Sequence, residues 1–226
     1  MKKLITILLV LSFVFAFAGC SANNQTEESS TSVSKSSTQT NATKAESGKT
    51  SAGNKSLVVY FSRAGEQYEV GVIEKGNTAI VADMIAAQTG ADSFEILPKE
   101  DNYPTTYKEL TDVAKKEQNN NARPEIKDTV SNFSQYDTVY LGYPIWWGDL
   151  PMICYTFLEG HDFSGKTIIP FCTHAGSGNA GTQSKIQSAV PNASVKEVLA
   201  IAGTDAQNNP DGVKSKITEW LASQDK

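Results

Sequence analysis

The chain has 226 residues, with 20 Lys and Arg against 25 Asp and Glu, a net charge of -5; the length allows one to two domains. The charge is uneven, a net +2 over residues 1–54 and a net -7 over residues 55–226. That acidity argues against a nucleic-acid binder, which needs cations to displace counterions from phosphates, and 2 His with 3 Cys are too few for most structural zinc sites or a disulfide-built scaffold.

The N-terminus reads as an address. Met1-Lys2-Lys3 is a short positive segment, and Leu4 to Phe17 is an apolar run of 14 residues. That run is too short to span a bilayer comfortably, and small residues after it mark a secretory signal. Phe17-Ala18-Gly19-Cys20 resembles a bacterial lipobox. The resemblance implies cleavage before Cys20 and a diacylglyceryl group on its thiol, so residues 1–19 form a lipoprotein signal peptide. The alternatives are an uncleaved anchor or a cut elsewhere. In each case the rest of the protein is expected outside the cytoplasm, lipid-anchored to the cell membrane if Cys20 is modified. Residues 20–54 read as a disordered tether. Of the 34 positions from 21 to 54, 15 are Ser or Thr, and Val33 is the only branched apolar residue. Such a stretch cannot bury enough surface to offset its ordering entropy.

From residue 55 to 226 strands and helices alternate. Leu57 to Phe61 is a continuous apolar strand, of the kind buried on both faces of a parallel sheet. Ile80, Met84 and Ile85 give a helix stripe, and Ser93 to Leu97 a weaker strand. Tyr107, Leu110 and Ala114 mark a second helix, and Thr138 to Tyr143 a third strand. Leu150, Ile153, Cys154, Phe157 and Leu158 stripe a third helix, with Asp149 as its N-cap and Pro151 in its first turn. Thr167 to Cys172 is a fourth strand, Ile186 and Val190 mark a fourth helix, Val195 to Ile201 is a fifth strand, and Val213, Ile217, Trp220 and Leu221 mark the last helix. Five strands with intervening helices predict right-handed βαβ units and an α/β doubly wound parallel sheet. Pro170 lies inside the fourth strand and predicts a bulge or an early end there. Cys154 and Cys172 fall on core faces and read as small buried hydrophobes; a disulfide is the alternative in an oxidising compartment.

In such sheets ligands bind beyond the carboxyl ends of the strands, so the loops after strands one, three and four are the candidates. The first runs Ser62-Arg63-Ala64-Gly65 and resumes at Gly76-Asn77-Thr78. Hydroxyls, glycines and a helix N-terminus suit a phosphate. Neither a nucleoside-triphosphatase loop nor a dinucleotide fingerprint is present, which points to a mononucleotide. An ordinary capped helix after a polar loop is the other reading. The second loop is Tyr143-Pro144-Ile145-Trp146-Trp147-Gly148-Asp149. Adjacent side chains diverge, so one indole is expected at the loop surface, where it could stack on a planar ligand; a packing corner is the alternative. The third, Thr173-His174-Ala175-Gly176-Ser177-Gly178, lets backbone approach a ligand closely.

Together these motifs resemble the flavodoxin-like family, most nearly bacterial flavodoxin-like proteins that include lipoproteins, over about residues 56–224. The resemblance implies a three-layer fold with a five-stranded sheet in the order 2-1-3-4-5, and FMN as cofactor. It implies that Ser62, Asn77 and Thr78 bind the phosphate, with Arg63, Ala64 and Gly76 in the same loop. It implies that Pro144, Ile145, Trp146 and Trp147 line the flavin ring. Thr173, His174, Gly176, Ser177 and Gly178 then close the other side. Glu66 to Lys75 interrupts the phosphate loop of short flavodoxins, which leaves open whether Gly65 or Gly76 makes the turn; Tyr68 is placed to fold over the site. Three functions follow. One is a redox protein passing electrons to or from a small acceptor or partner. Another is an NAD(P)H:quinone-type oxidoreductase, which the Pro-Ile-Trp-Trp-Gly-Asp-Leu-Pro loop also resembles. The third is a non-redox surface module for another planar ligand.

Overall fold

The structure is a computed structural model that describes residues 55–224. The signal segment, Cys20 and the tether lie outside the described residues. The chain runs β1 (Lys55–Tyr60), β2 (Gly65–Gln67), β3 (Gly71–Ile73), α1 (Asn77–Thr89), β4 (Asp92–Glu95), α2 (Tyr107–Asn119), β5 (Tyr136–Pro144), α3 (Met152–Glu159), β6 (Thr167–His174), α4 (Thr182–Ala189), β7 (Ser194–Val195), β8 (Leu199–Ala202), α5 (Gly203–Asn208) and α6 (Pro210–Gln224).

The large sheet is wholly parallel, in the order β4-β1-β5-β6, with β7 and β8 both on the far side of β6. If β7 and β8 count as one interrupted strand, this is the expected 2-1-3-4-5. Side chains alternate across β1 because successive Cβ atoms point to opposite faces. Leu57, Val59 and Phe61 enter a core layer with Val139, Leu141, Ile153 and Phe157. Val58 enters the other layer, with Val81, Ile85, Ile169, Val213 and Ile217. Val58, Val59, Val81 and Ile85 are fully buried, each worth about 1.5–3 kcal/mol over an exposed position. The buried ridge of α1 is Val81, Ala82 and Ile85; of the expected stripe Ile85 is fully buried, while Ile80 and Met84 are half-buried at its flank. Cys154 and Cys172 are buried free thiols; burial pushes the Cys172 thiol up to about 12 and raises the Cys154 thiol as well.

Pro170 produces neither the predicted bulge nor an early end. The strand β6 runs through it in unbroken register, with Pro170 opposite Leu141 on β5. The consequence falls on the neighbouring strand. Lys196 N donates to Ile168 O at 2.9 Å, and a parallel ladder would continue with the N–H of residue 170 to the carbonyl of Lys196. Proline has no N–H. The fifth strand, expected as one run from Val195 to Ile201, is accordingly split into β7 and β8.

The start of α3 also departs from expectation. Pro151 is its N-cap and makes no side-chain cap bond. Asp149 instead accepts from Leu150 N and the Tyr155 hydroxyl, each at 2.8 Å, and pairs with Lys185 at 2.9 Å. It ties the loop after β5 to α3 and α4.

Candidate functional site

The carboxyl ends of β5, β6 and β8 open onto a cavity of about 400 Å³, within the range of small-molecule sites. Its floor comes from the loop after β5. There Trp146 and Asp149 exchange two backbone bonds of 2.9 and 3.0 Å, and the residues between them, Trp147 and Gly148, sit at φ 51° and 72°. Two positive φ values make this a type I′ turn, which ordinarily takes Asn-Gly. The two indoles diverge. Trp146 turns inward and meets Phe61 and Tyr103 edge-on, at ring centroids 5.4 and 5.6 Å apart. Trp147 is 54% exposed. Its Nε1 donates to Thr111 O at 2.9 Å, and the Lys115 ammonium lies 5.1 Å from its ring centroid. Both indoles line the cavity, with Pro144 and Ile145.

Thr173 and His174 end β6 and line the opposite wall with Gly176. The backbone N–H of Gly176 donates to His174 Nδ1 at 3.1 Å, which leaves the ring proton on Nε2. Burial holds the His174 pKa below the usual histidine value; Asp205 opposes this and Lys216 reinforces it. Ser177 is exposed and Gly178 half-buried beside the cavity; neither lines it.

The first loop closes one end. Asn77, the first residue of α1, lines the cavity, and the opening amides of a helix have no intrahelical partner. Ser62 Oγ accepts from Ala79 N at 3.0 Å, and Thr78 Oγ1 bonds Thr173 Oγ1 at 2.8 Å. Thr78 is buried behind Thr173 rather than on the cavity surface. The structure separates the two glycines. Gly65 has φ +94° and makes the turn. At Gly76 a Cβ would come within 2.6 Å of Arg63 O, so there the absence of a side chain lets two backbone segments touch. Arg63 points away: its guanidinium pairs with Asp101 at 2.8 Å and donates to Tyr103 O at 3.0 Å. Ala64 is exposed beside it. Among the described residues no Lys or Arg lines the cavity.

Three further walls come from elements of which the sequence reading named only Tyr68 for the site, expected to fold over it and found lining it. Helix α2 supplies Tyr107, Leu110, Thr111 and Ala114; the end of β8 and the start of α5 supply Ala202, Gly203 and Thr204; the β2–β3 hairpin supplies Gln67 to Val70. The helix periodicity was visible, but a stripe of Leu and Ala reads as core. The site thus offers a planar apolar slot with an aromatic floor at one end and helix amides with hydroxyls at the other. That donor set fits an anionic tail on a flat ring.

A family model described as Flavodoxin matches residues 55–222. The chain belongs to the flavodoxin family. Crystal structures of candidate flavoproteins from Bacteroides eggerthii and Bacteroides uniformis share 29% identity with this flavodoxin-like chain, at TM-scores of 0.58 and 0.60. Each match covers 74% of this chain and 98% or 99% of the other. A flavoprotein in complex with FMN from Lactobacillus acidophilus is 20% identical with a TM-score of 0.55, over 74% of this chain and 99% of its own, a likeness of fold. No curated protein matches the sequence.

Proposed function

We propose that this flavodoxin-like protein holds FMN in the cavity and works as a redox protein, lipid-anchored through Cys20, passing electrons outside the cytoplasm. One observation carries the reading: the Trp146-Trp147 turn, the end of β6 and the N-terminus of α1 surround a single slot at the carboxyl edge of a parallel sheet. Bound FMN supplies the electron-transfer chemistry, and the protein orients it and tunes its potential. The opening amides of α1 and the Thr173 hydroxyl hold the phosphate, with Thr78 positioning Thr173 and Ser62 fixing the first turn of α1 behind them. Trp146, Trp147 and Ile145 flank the ring and exclude water from it. His174, held neutral by burial, adds no charge to the wall. In a domain of net -7, the phosphate is held by dipoles and hydroxyls, with Arg63 committed to Asp101.

The test is reconstitution of the purified chain with FMN. Flavin absorbance that stays with the protein through gel filtration is the expected result, and a colourless protein overturns the reading. NADH oxidation with a quinone acceptor then distinguishes a dedicated reductase from an electron carrier; no turnover is expected, since pyridine nucleotides are scarce outside the cytoplasm.

The anchor has its own prediction. Cys20→Ser should release the protein from the membrane fraction or leave the precursor uncut, because stable anchoring needs two or more acyl chains. Fractionation and a mapped mature N-terminus check it; an N-terminus at any residue other than 20 removes the anchor from the proposal.

A further inference from the structure

The segment that interrupts the first loop is an antiparallel hairpin, with Gly65 opposite Ile73 and Gln67 opposite Gly71. It is fastened on both sides of the cavity. Toward α2, Glu66 N donates to Thr105 O at 2.8 Å, and the Glu66 carboxylate accepts from Tyr107 N, the first amide of that helix, at 2.8 Å. A carboxylate is favoured there by the helix dipole. The Tyr68 and Tyr107 rings lie 5.5 Å apart. A Cβ on Gly65 would stand 2.6 Å from Thr105 O, so the hairpin is seated on the backbone of the loop before α2. Toward α5, Val70 packs beside Gly203, its Cγ2 3.5 Å from where a Cβ on that glycine would lie. Gln207 Nε2 bonds Lys75 O at 3.0 Å and Asn77 Oδ1 at 2.8 Å, tying the return of the hairpin to α1 and α5. The tip crosses from one fastening to the other, and Tyr68, Glu69 and Val70 face the cavity.

The end so covered is the one at Asn77, where helix amides favour an anion. A mononucleotide ends at that point. A dinucleotide continues past its first phosphate, and the path beyond Asn77 is taken by Val70 and Gly203. We propose that the β2–β3 hairpin is the specificity element that limits this cavity to a flavin mononucleotide, by closing the phosphate end against a second nucleotide. The inference rests on the FMN reading of the same cavity. Exclusion by steric closure is discrimination built against the wrong ligand rather than added affinity for the right one.

The experiment titrates the full-length apoprotein with FMN, FAD and riboflavin, following flavin fluorescence. The parent should prefer FMN over FAD by about 100-fold or more. A variant with Glu66–Ile73 replaced by two glycines should bring the ratio to within about tenfold, chiefly by admitting FAD. A second variant, Tyr68→Ala with Val70→Ala, keeps the hairpin backbone and should lower the ratio by about tenfold, at an unchanged melting temperature. A ratio that stays at the parent value in the folded double variant overturns the hairpin's role and leaves FMN binding standing. A parent that binds FAD as tightly as FMN does the same. A parent that binds none of the three flavins overturns the cofactor reading and the hairpin's role with it.

Discussion

Thr78→Ala should weaken FMN binding by about tenfold or more, because Thr78 orients the Thr173 hydroxyl that lines the phosphate end, and a hydrogen bond to a charged phosphate is worth about 1.5–3 kcal/mol. Ser62→Ala should act in the same direction. The two hydroxyls do different work in the structure. Ser62 Oγ already serves the Ala79 amide at 3.0 Å and so fixes the first turn of α1, whose remaining amides are left for the ligand. Thr78 bonds Thr173 at 2.8 Å, and Thr173 is the hydroxyl that lines the cavity. Removing Thr78 leaves a buried hydroxyl unpaired, at a cost of about 1–3 kcal/mol in stability, so affinity must be compared where each variant is fully folded. Thr78→Ser keeps the hydroxyl and should restore binding. Thr78→Ala combined with Thr173→Ala should cost less than the sum of the two, since the pair acts through one bond. Unchanged FMN affinity in both Ser62→Ala and Thr78→Ala would falsify the assignment of this end of the cavity to phosphate.

The sheet was legible because its strands are buried on both faces and read as unbroken apolar runs, Leu57 to Phe61 being the clearest. What escaped were effects that one segment exerts on another. Pro170 was visible as a lost donor, but a missing N–H weakens the ladder it would have joined, and the break appears at residues 196–198 on the next strand. The hairpin at Gly65–Ile73 was invisible as structure: its strands have three residues each, and they are held by the loop before α2 rather than by any pattern of their own. The site divides the same way. The glycine, hydroxyl and tryptophan loops stand out from their neighbours in sequence. Leu110 and Ala114 do not, because a cavity wall made by a helix carries the same stripe as a core. Arg63 shows the opposite failure. Sequence neighbours share a loop without sharing a direction, and its guanidinium leaves the cavity for Asp101.

Trp147 is where local preference and the fold disagree. Its φ of 51° is uncommon for any residue with a Cβ, and a bulky one there is an outlier. A type I′ turn takes Asn-Gly most readily. Strain of this kind persists where a site uses it, and here it presents an indole, with its N–H held by Thr111 and a lysine near its ring, to the slot. Trp147→Asn therefore separates the two explanations. It gives the turn the residue it prefers while removing the ring. Losing one exposed hydrogen bond, about 1 kcal/mol, is offset by relief at the backbone, so the melting temperature should move by no more than about 3 °C. FMN affinity should fall by about two- to tenfold, the worth of an aromatic contact. The reduction potential of the bound flavin should rise, because the indole keeps water from a ring that carries more negative charge when reduced, and water admitted in its place solvates that charge. Trp146→Ala is the contrast: it strips the edge contacts from Phe61 and Tyr103 and, the residue being half-buried, should cost about 1–3 kcal/mol of stability. Titration and spectroelectrochemistry on Trp147→Asn decide the matter. Affinity and potential both equal to the parent, at an unchanged melting temperature, make Trp147 a turn residue and nothing more.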